Sequence, residues 1–340
     1  MDNSYQDSLN QILNKIDLTE EKMISLMEQL MTGQLVSSQI ASFMIAMRMK
    51  GETIDEIAAA AKVMRRHSKH VLLDNTDFLI DTCGTGGDSL QTFNISTLSA
   101  VIAATVGAKV AKHGGRSVSS KCGSADVLES LGVNVNVDEK KMAQLVNEIG
   151  IGFMFAPNFH PAMKYVAPVR KELGVRTMFN MLGPLTNPAN SNRQIIGVFN
   201  DKLCHTFAHV LKKLGSKHVL IVYGHDGMDE ISITGKTSIA ELKENEIFEY
   251  EIHPTDFGLK VGKLDDIKVE NVEESKKIIM DILAGTQSTA RDIVVLNAGA
   301  AIYVSGITED ITSGIDLAKH AIDSGKAQEK LVELVTKSNG

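Results

Sequence analysis

The sequence predicts an α/β protein in two parts: a small all-helical N-terminal domain over residues 1–72 and a large α/β domain over 73–340 with a mostly parallel central sheet. Three observations predict it. Apolar residues recur at helical spacing through the first 70 residues, strand, turn and helix patterns alternate from about residue 76, and glycine-rich loops follow the apolar strands. A hinge near 165–185 is expected to lend further helices to the N-terminal part.

Composition sets the outer limits. With 340 residues, 43% of them hydrophobic and 23% charged, the chain has the profile of a globular protein long enough for about two domains. Its net charge of −7 argues against non-specific binding to nucleic acid or to an anionic membrane surface. Three scattered cysteines, Cys83, Cys122 and Cys204, fit a reducing compartment and no zinc pattern. The polar N-terminus lacks a secretory signature and no apolar run approaches a membrane span, so a cytoplasmic location is expected.

The first helix is expected from Leu9, Ile12, Leu13 and Ile16, and the second from Thr19, whose hydroxyl precedes Glu20 and Glu21 as a start signal. Gly33 breaks that pattern, a third run covers Ile40 to Met47 and ends at Gly51, and Thr53 with Glu56 reads as a capping box for a fourth helix. The small and methionine-rich face of the third run suits close helix packing, in the core or at a subunit contact. Strands are then expected over 78–82, 109–112, 151–155, 194–198 and 218–223, with helices over 97–106, 124–131, 139–149 and 201–214. The 237–255 segment alternates more loosely and reads as an antiparallel edge, after which helices are expected over 272–285, 288–304 and 308–323.

Four stretches carry chemistry. The loop Asp81-Thr-Cys-Gly-Thr-Gly-Gly-Asp88 leaves a strand, and Asn94-Ile-Ser-Thr97 opens a helix shortly afterwards. Closely spaced glycines let successive N–H groups face an anion, and a polar helix start adds hydroxyls and the positive end of the dipole. The result is a phosphate cradle with a carboxylate on its rim, suited to a phosphorylated sugar. Ser89 stands where a dinucleotide fingerprint needs glycine, and Glu230 stands where a Walker loop ending at Gly235-Lys236-Thr237 needs one.

The second stretch, Lys112-His-Gly-Gly-Arg-Ser-Val-Ser-Ser-Lys-Cys-Gly-Ser-Ala-Asp126, is rich in glycine, serine and cations. It fits an anion-closing loop better than a solvated turn; Lys112 offers a point charge and Arg116 a fork. The third is Asp229-Glu230, two carboxylates beyond a strand; an Asp-Glu pair is most often a solvated turn, but beside two phosphate loops it suits a hard divalent ion. The fourth runs from His160 through Tyr165, Arg170 and Arg176 to the rigid turns Gly183-Pro184 and Asn187-Pro188, where Arg170 is placed to meet a carboxylate.

Together, Asp81–Asp88, Asn94–Thr97, Lys112–Ser120, Gly123–Glu129, Arg170–Pro188 and Asp229–Ser232 resemble the anthranilate phosphoribosyltransferase family in order and spacing along nearly the whole chain. The resemblance implies the nucleoside phosphorylase and class II phosphoribosyltransferase fold, a homodimer formed through the helical domain, and a step in tryptophan biosynthesis. It implies transfer of phosphoribose from 5-phosphoribosyl 1-diphosphate to the amine of anthranilate. It places Gly84, Gly86, Gly87 and Asp88 on the donor, with Thr92, Asn94, Ser96, Thr97, Lys112 and Ser124 on its phosphates and ribose. Arg170 would face the anthranilate carboxylate, with His113, Gly114, Gly115, His160 and Tyr165 lining its path. Two Mg2+ are implied, one on Ser96 and Glu230 and one on Asp229 and Glu230; Lys112, Arg170, Asp229 and Glu230 would carry catalysis. One departure stands out: the family usually has asparagine where this chain has Gly115. Two other readings are a pyrimidine nucleoside phosphorylase, whose Lys-His-Ser-Thr-Gly-Gly signature differs from Lys112-His113-Gly114-Gly115, and a related branch that binds nucleic acid without transferase activity. The net charge and the Asp229-Glu230 pair speak against the latter.

Overall fold

The computed structural model of the chain describes residues 4–88, 90–116 and 122–340. Ser89 and the serine-rich tail of the second glycine loop, 117–121, lie outside the described residues.

Four helices form the N-terminal part: α1 (Ser4–Leu13), α2 (Glu20–Met31), α3 (Ser37–Lys50) and α4 (Ile54–Arg66). The capping box is present, since the Glu56 amide donates to Thr53 Oγ1 at 3.2 Å and the Thr53 amide to Glu56 Oε2 at 2.8 Å. Glu56 does more than cap. Fully buried, it also accepts from the Leu18 amide at 2.9 Å and from Lys50 at 2.8 Å. One carboxylate thus ties the start of α4 to the end of α3 and to the turn before α2, and both of its buried oxygens have donors.

The α/β part follows as β1 (Leu79–Gly84), α5 (Ile95–Thr105), β2 (Lys109–Gly114), α6 (Ser124–Ser130), α7 (Glu139–Ile149) and β3 (Ile151–Phe155). Next come three short helices, α8 (Ala156–Phe159), α9 (Ala167–Leu173) and α10 (Phe179–Leu182), then β4 (Arg193–Gly197), α11 (Lys202–Lys213), β5 (His218–Gly224), β6 (Thr237–Lys243) and β7 (Glu246–Ile252). The chain ends in α12 (Val272–Leu283), α13 (Thr289–Ser305), α14 (Ile311–Asp323) and α15 (Lys326–Asn339). The expected antiparallel edge is the β6–β7 hairpin. Between α8 and α9 lies a single 3-10 turn, Pro161–Tyr165. Helix α15 had no counterpart in the sequence reading. The Ser324-Gly325 break, with Gly325 at φ +77°, looked like an end, although Ala327, Leu331 and Leu334 carry a helical spacing and are buried.

The sheet order is β3-β2-β1-β4-β5-β6-β7, parallel from β3 through β5 and antiparallel from β5 through β7. Both faces are covered, so the parallel strands are apolar at consecutive positions instead of alternating. In β4, Ile195 packs into the core with α5 and α13, while Ile196 packs into the core shared with the N-terminal helices and α11; Leu220 and Ile221 divide the same way in β5. The chain leaves β1 toward β2 and returns on its other side as β4, so a crevice opens between the carboxyl ends of β1 and β4, where open α/β sheets bind ligands.

Helix α15 closes the far side: Lys330 reaches the Ile149 carbonyl at 2.8 Å, Asn339 the Gly132 carbonyl at 2.8 Å, and the Asn134 amide donates to Ser338 Oγ at 3.0 Å. No described helix is long and apolar enough to cross a membrane. Helices α13 and α14 touch through glycine: a Cβ on Gly314 would lie 2.2 Å from the Gly299 carbonyl oxygen. Overpacking of this kind costs about 1–3 kcal/mol or more. Gly314→Ala is therefore expected to lower the thermal midpoint by several degrees in calorimetry, and an unchanged midpoint would show that the two helices slide apart freely.

Candidate active site

The crevice owes its shape to a backbone contact that only glycine permits. The loop after β5 folds back over the ends of β1 and β4, so that a Cβ on Gly197 would meet the Asp229 carbonyl oxygen at 1.6 Å and one on Gly84 would meet Asp229 Oδ2 at 2.6 Å. This approach lets Asp229 Oδ2 accept from the Gly86 amide at 2.9 Å. Gly86 and Gly87 sit at φ +66° and +85°, the left-handed region where L side chains are penalised. Asp88 contacts the Asp229 carboxyl directly. The first expected cradle and the expected carboxylate pair therefore share one place.

Helix α5 brings its first turn to the same spot. The Ser96 amide donates to Glu230 Oε1 at 3.2 Å. Lys112, at the end of β2 and 3% exposed, reaches across β1 to the Thr82 carbonyl and lies 3.1 Å from Ser96 Oγ. Asn94 precedes the helix, where its amide group spans Cys122 and Ser275. Thr92 forms an antiparallel bridge with Lys268, and Ser124 opens α6 beside Gly114.

Burial and like charge dominate the electrostatics. Burial, reinforced by Asp88, pushes Asp229 up to about 7; burial, reinforced by Asp229, pushes Glu230 up to about 8. Burial lowers Lys112, and the nearby charges of Asp81, Glu230 and Asp229 counter it. Such a crowd of carboxylates favours a cation or a shared proton. Among the described residues no three His, Cys, Asp or Glu side chains converge as a metal cage. Two carboxylates and the Ser96 hydroxyl are what Mg2+ needs when ligand phosphate oxygens and waters complete its octahedron, so these residues fit it.

A second wall of buried polar groups lies beyond β2. His113 and His160 are buried with ring centroids 4.9 Å apart, and each has an Nε2 without a partner among the described residues. Burial, then the neighbouring ring, holds His113 down at about 3, and burial holds His160 at about 4, so both are neutral at pH 7. Thr97 Oγ1 is likewise buried and unpartnered. Unmet buried polar atoms are uncommon, and two of them on adjoining histidine rings mark a surface suited to a ligand. Arg170, on α9, has no carboxylate partner among the described residues, and burial lowers it. Tyr165 packs against Gly33 at the end of α2, so it belongs to the seam with the helical layer. Gly115 has open space around a would-be Cβ and no left-handed φ.

Arg116 departs from the expected phosphate role. Its fork is bidentate to Glu129 at 2.6 and 2.8 Å and reaches Asp126 at 2.7 Å, because α6 presents both carboxylates to it. Two groups that sequence reasoning left without a role proved central. Buried Asp81 accepts from the His113 amide at 3.0 Å and from Asn187 Nδ2 at 2.7 Å, locking β1, β2 and the Gly183–Pro188 turn together. Arg176 donates to the Gly87 carbonyl, lies over the Phe199 ring at 4.2 Å, and offers its own carbonyl to Arg48 of α3 at 2.9 Å. No local signal announces that role, since 89 positions separate Arg176 from Gly87. The loop is thus held from two sides, by Asp229 at Gly86 and by Arg176 at Gly87.

A family model described as the helical bundle domain of a glycosyl transferase family matches residues 6–68, and one described as the a/b domain of that family matches 76–328. Anthranilate phosphoribosyltransferase of Methylobacillus flagellatus is 54% identical over 327 residues, 96% of each chain. That of Chromobacterium violaceum is 51% identical over 333 residues, 98% of this chain and 97% of its own. Among solved structures, anthranilate phosphoribosyltransferase from Thermus thermophilus superposes with a TM-score of 0.93 at 38% identity, covering 98% of this chain and all of that one. The Saccharomyces cerevisiae enzyme in complex with PRPP and Mg gives 0.90 at 28% identity over 100% and 99%.

Two outcomes follow from the crevice. Asp229 and Glu230 must lose protons to bind a cation, so Mg2+ affinity is expected to rise between pH 6 and 8 by roughly tenfold per unit for each proton displaced. Calorimetry in two buffers should detect the released protons; a flat profile would mean the pair is ionised throughout. Arg176→Ala is expected to speed amide exchange at Gly86–Asp88 about tenfold or more, the cost of one charge-assisted hydrogen bond. Unchanged exchange would show that Asp229 alone holds the loop.

Proposed function

The chain belongs to the anthranilate phosphoribosyltransferase family, and on that premise we propose how its crevice performs the reaction. The enzyme transfers phosphoribose from 5-phosphoribosyl 1-diphosphate to the amine of anthranilate, releasing diphosphate. The convergence of the glycine loop, Lys112, Asp229 and Glu230 at the open ends of β1 and β4 carries the assignment of roles.

Gly84, Gly86, Gly87, Asp88, Thr92, Asn94, Ser96, Thr97 and Ser124 line the donor side in our reading. The loop amides and the first turn of α5 receive phosphate oxygens, and the Asp88 carboxylate accepts from ribose hydroxyls. Two Mg2+ per site, held by Ser96 and Glu230 and by Asp229 and Glu230, would neutralise the departing diphosphate. Lys112 adds fixed positive charge in a dry setting, where it acts at little reorganisation cost. As the bond to the leaving diphosphate stretches, the ribose carbon becomes cationic, and the amine attacks its opposite face with inversion. An aromatic amine is neutral at pH 7 and needs no strong base. Neutral His113, held near 3, is a poor proton acceptor, so it and His160 serve as polar walls. Arg170 fixes the anthranilate carboxylate, with Gly114, Gly115 and Tyr165 bounding the path. Most of the rate then comes from positioning.

Residues 1–72 form the dimerising part and 73–340 the catalytic part in this scheme. Leu13, Ile16, Val36 and Met49 are large apolar side chains left exposed on the helical layer, and they support a homodimer there. Free buried cysteines fit a cytoplasmic setting. Neither the nucleoside phosphorylase nor the nucleic-acid reading has an observation of this chain in its favour.

The decisive assay mixes protein, phosphoribosyl diphosphate, Mg2+ and anthranilate and follows loss of anthranilate fluorescence, which should be abolished by EDTA or by Glu230→Ala. Persistence of fluorescence in the complete mixture would overturn the assignment. Arg170→Ala should raise the KM for anthranilate by roughly thirtyfold or more, since orphaning one partner of a desolvated ion pair costs about 2–4 kcal/mol; an unchanged KM would make Arg170 structural. Gly115→Asn faces no steric or φ penalty. It should lower that KM by a few-fold to about tenfold, the worth of one neutral hydrogen bond, and leave the donor KM alone.

A further inference from the structure

At the amino end of β4, remote from the crevice, the sheet carries a row of basic residues. Arg193 pairs with His218 across β4 and β5, and His218 pairs with Lys243 across β5 and β6. Residues directly opposite one another project to the same face, and neighbouring strands lie about 4.8 Å apart, so the three side chains share one rung within about 10 Å. Arg193 and Lys243 flank His218 on this rung, two like charges on one face of the sheet. Two adjoining cavities of about 370 and 470 Å3 open on this rung, both lined by Arg193, His218 and Lys243; Lys217 lines one and Tyr303 of α13 the other.

Glu241 pairs with His218, but the carboxylates nearby leave Arg193 and Lys243 unpaired among the described residues. Buried Glu241 is saturated by His218 at 2.8 Å, by Tyr303 at 2.7 Å and by Tyr250 at 2.8 Å. Glu244 and Glu309 line the cavities but are exposed and form no ion pair with the row among the described residues. Among the described residues, the Lys243 ammonium bonds the hydroxyl of Tyr303 at 3.1 Å and lies over its ring at 4.9 Å. Arg193 gives one N–H to the Val304 carbonyl at 3.0 Å, and the rest of its fork has no acceptor among the described residues. Neither Arg193, Lys217 nor Lys243 has a carboxylate within ion-pair distance among the described residues. Arg193 and Lys243, half-buried and left so in a chain of net charge −7, are a standing cost that an anion would remove.

We propose that this cavity is a second binding site, for a small phosphorylated molecule, with the phosphoryl group on Arg193 and Lys243. The fork and the ammonium match a phosphoryl dianion better than a single carboxylate, and the cavity has room for a sugar-sized body beside it. The inference does not depend on the transferase reading.

Inorganic phosphate is the probe, titrated at constant ionic strength against chloride. Because the reaction crevice also takes phosphate, the thermal midpoint is compared between the natural protein, Lys243→Met and Arg193→Gln, in all of which the crevice is intact. The rise in midpoint with phosphate should be at least halved in each variant, and equal rises would overturn the proposal. If either variant fails to fold, a selenate soak of crystals of the natural protein decides the matter: an anomalous peak within hydrogen-bond distance of Arg193 and Lys243 supports the site, and peaks confined to the crevice reject it.

Discussion

The structure turns on how closely two backbones approach at the end of the sheet. Because Gly197 has no side chain, the strand-to-loop junction carrying Asp229 settles onto β4 and hands a carboxylate oxygen to the Gly86 amide. Remove that approach and the glycine loop loses one of its two anchors, and Glu230 loses the seat that sets it against the Ser96 amide at the first turn of α5. The sheet's reversal of direction beside β1 supplies the crevice, and this contact gives it an acidic wall.

Much of this was readable in the chain. Apolar runs followed by glycine, polar helix starts and one capping box led to the strands, to α5 and to α4 with bounds close to those observed, because each rests on neighbours within a few positions. The cradle at Asp81–Asp88 and the pair at Asp229-Glu230 were legible separately as chemistry. Their union was not, since it depends on a missing Cβ 113 positions further along than Gly84. Arg116 misled for the opposite reason: the cation was visible, but the carboxylates of α6 that claim its fork belong to the next helix. Arg176 and Asp81 escaped notice because their partners are set by tertiary packing, and α15 because a glycine turn looked like an ending.

The two sides of the crevice solve opposite electrostatic problems. At the Asp229–Glu230 wall, carboxylates crowd until burial and mutual repulsion raise both toward neutrality, a strain that positive charge relieves. At the His113–His160 wall, burial strips the rings of charge, leaving neutral Nε2 atoms with no partner among the described residues. A highly charged ligand and a flat aromatic one can therefore be sorted into adjoining spaces by solvation alone, before any specific contact forms.

The closing role of α15 bears on how the molecule is made. The helix that bonds to the Gly132 and Ile149 carbonyls, and to the Asn134 amide, is separated from them by 181 to 207 positions. On a ribosome the early side of each contact emerges long before its partner on α15. The layer around β2 and β3 thus stays unsealed until α15 itself has emerged. A chain cut before Lys326 would carry every residue of the crevice and still lack the brace behind it.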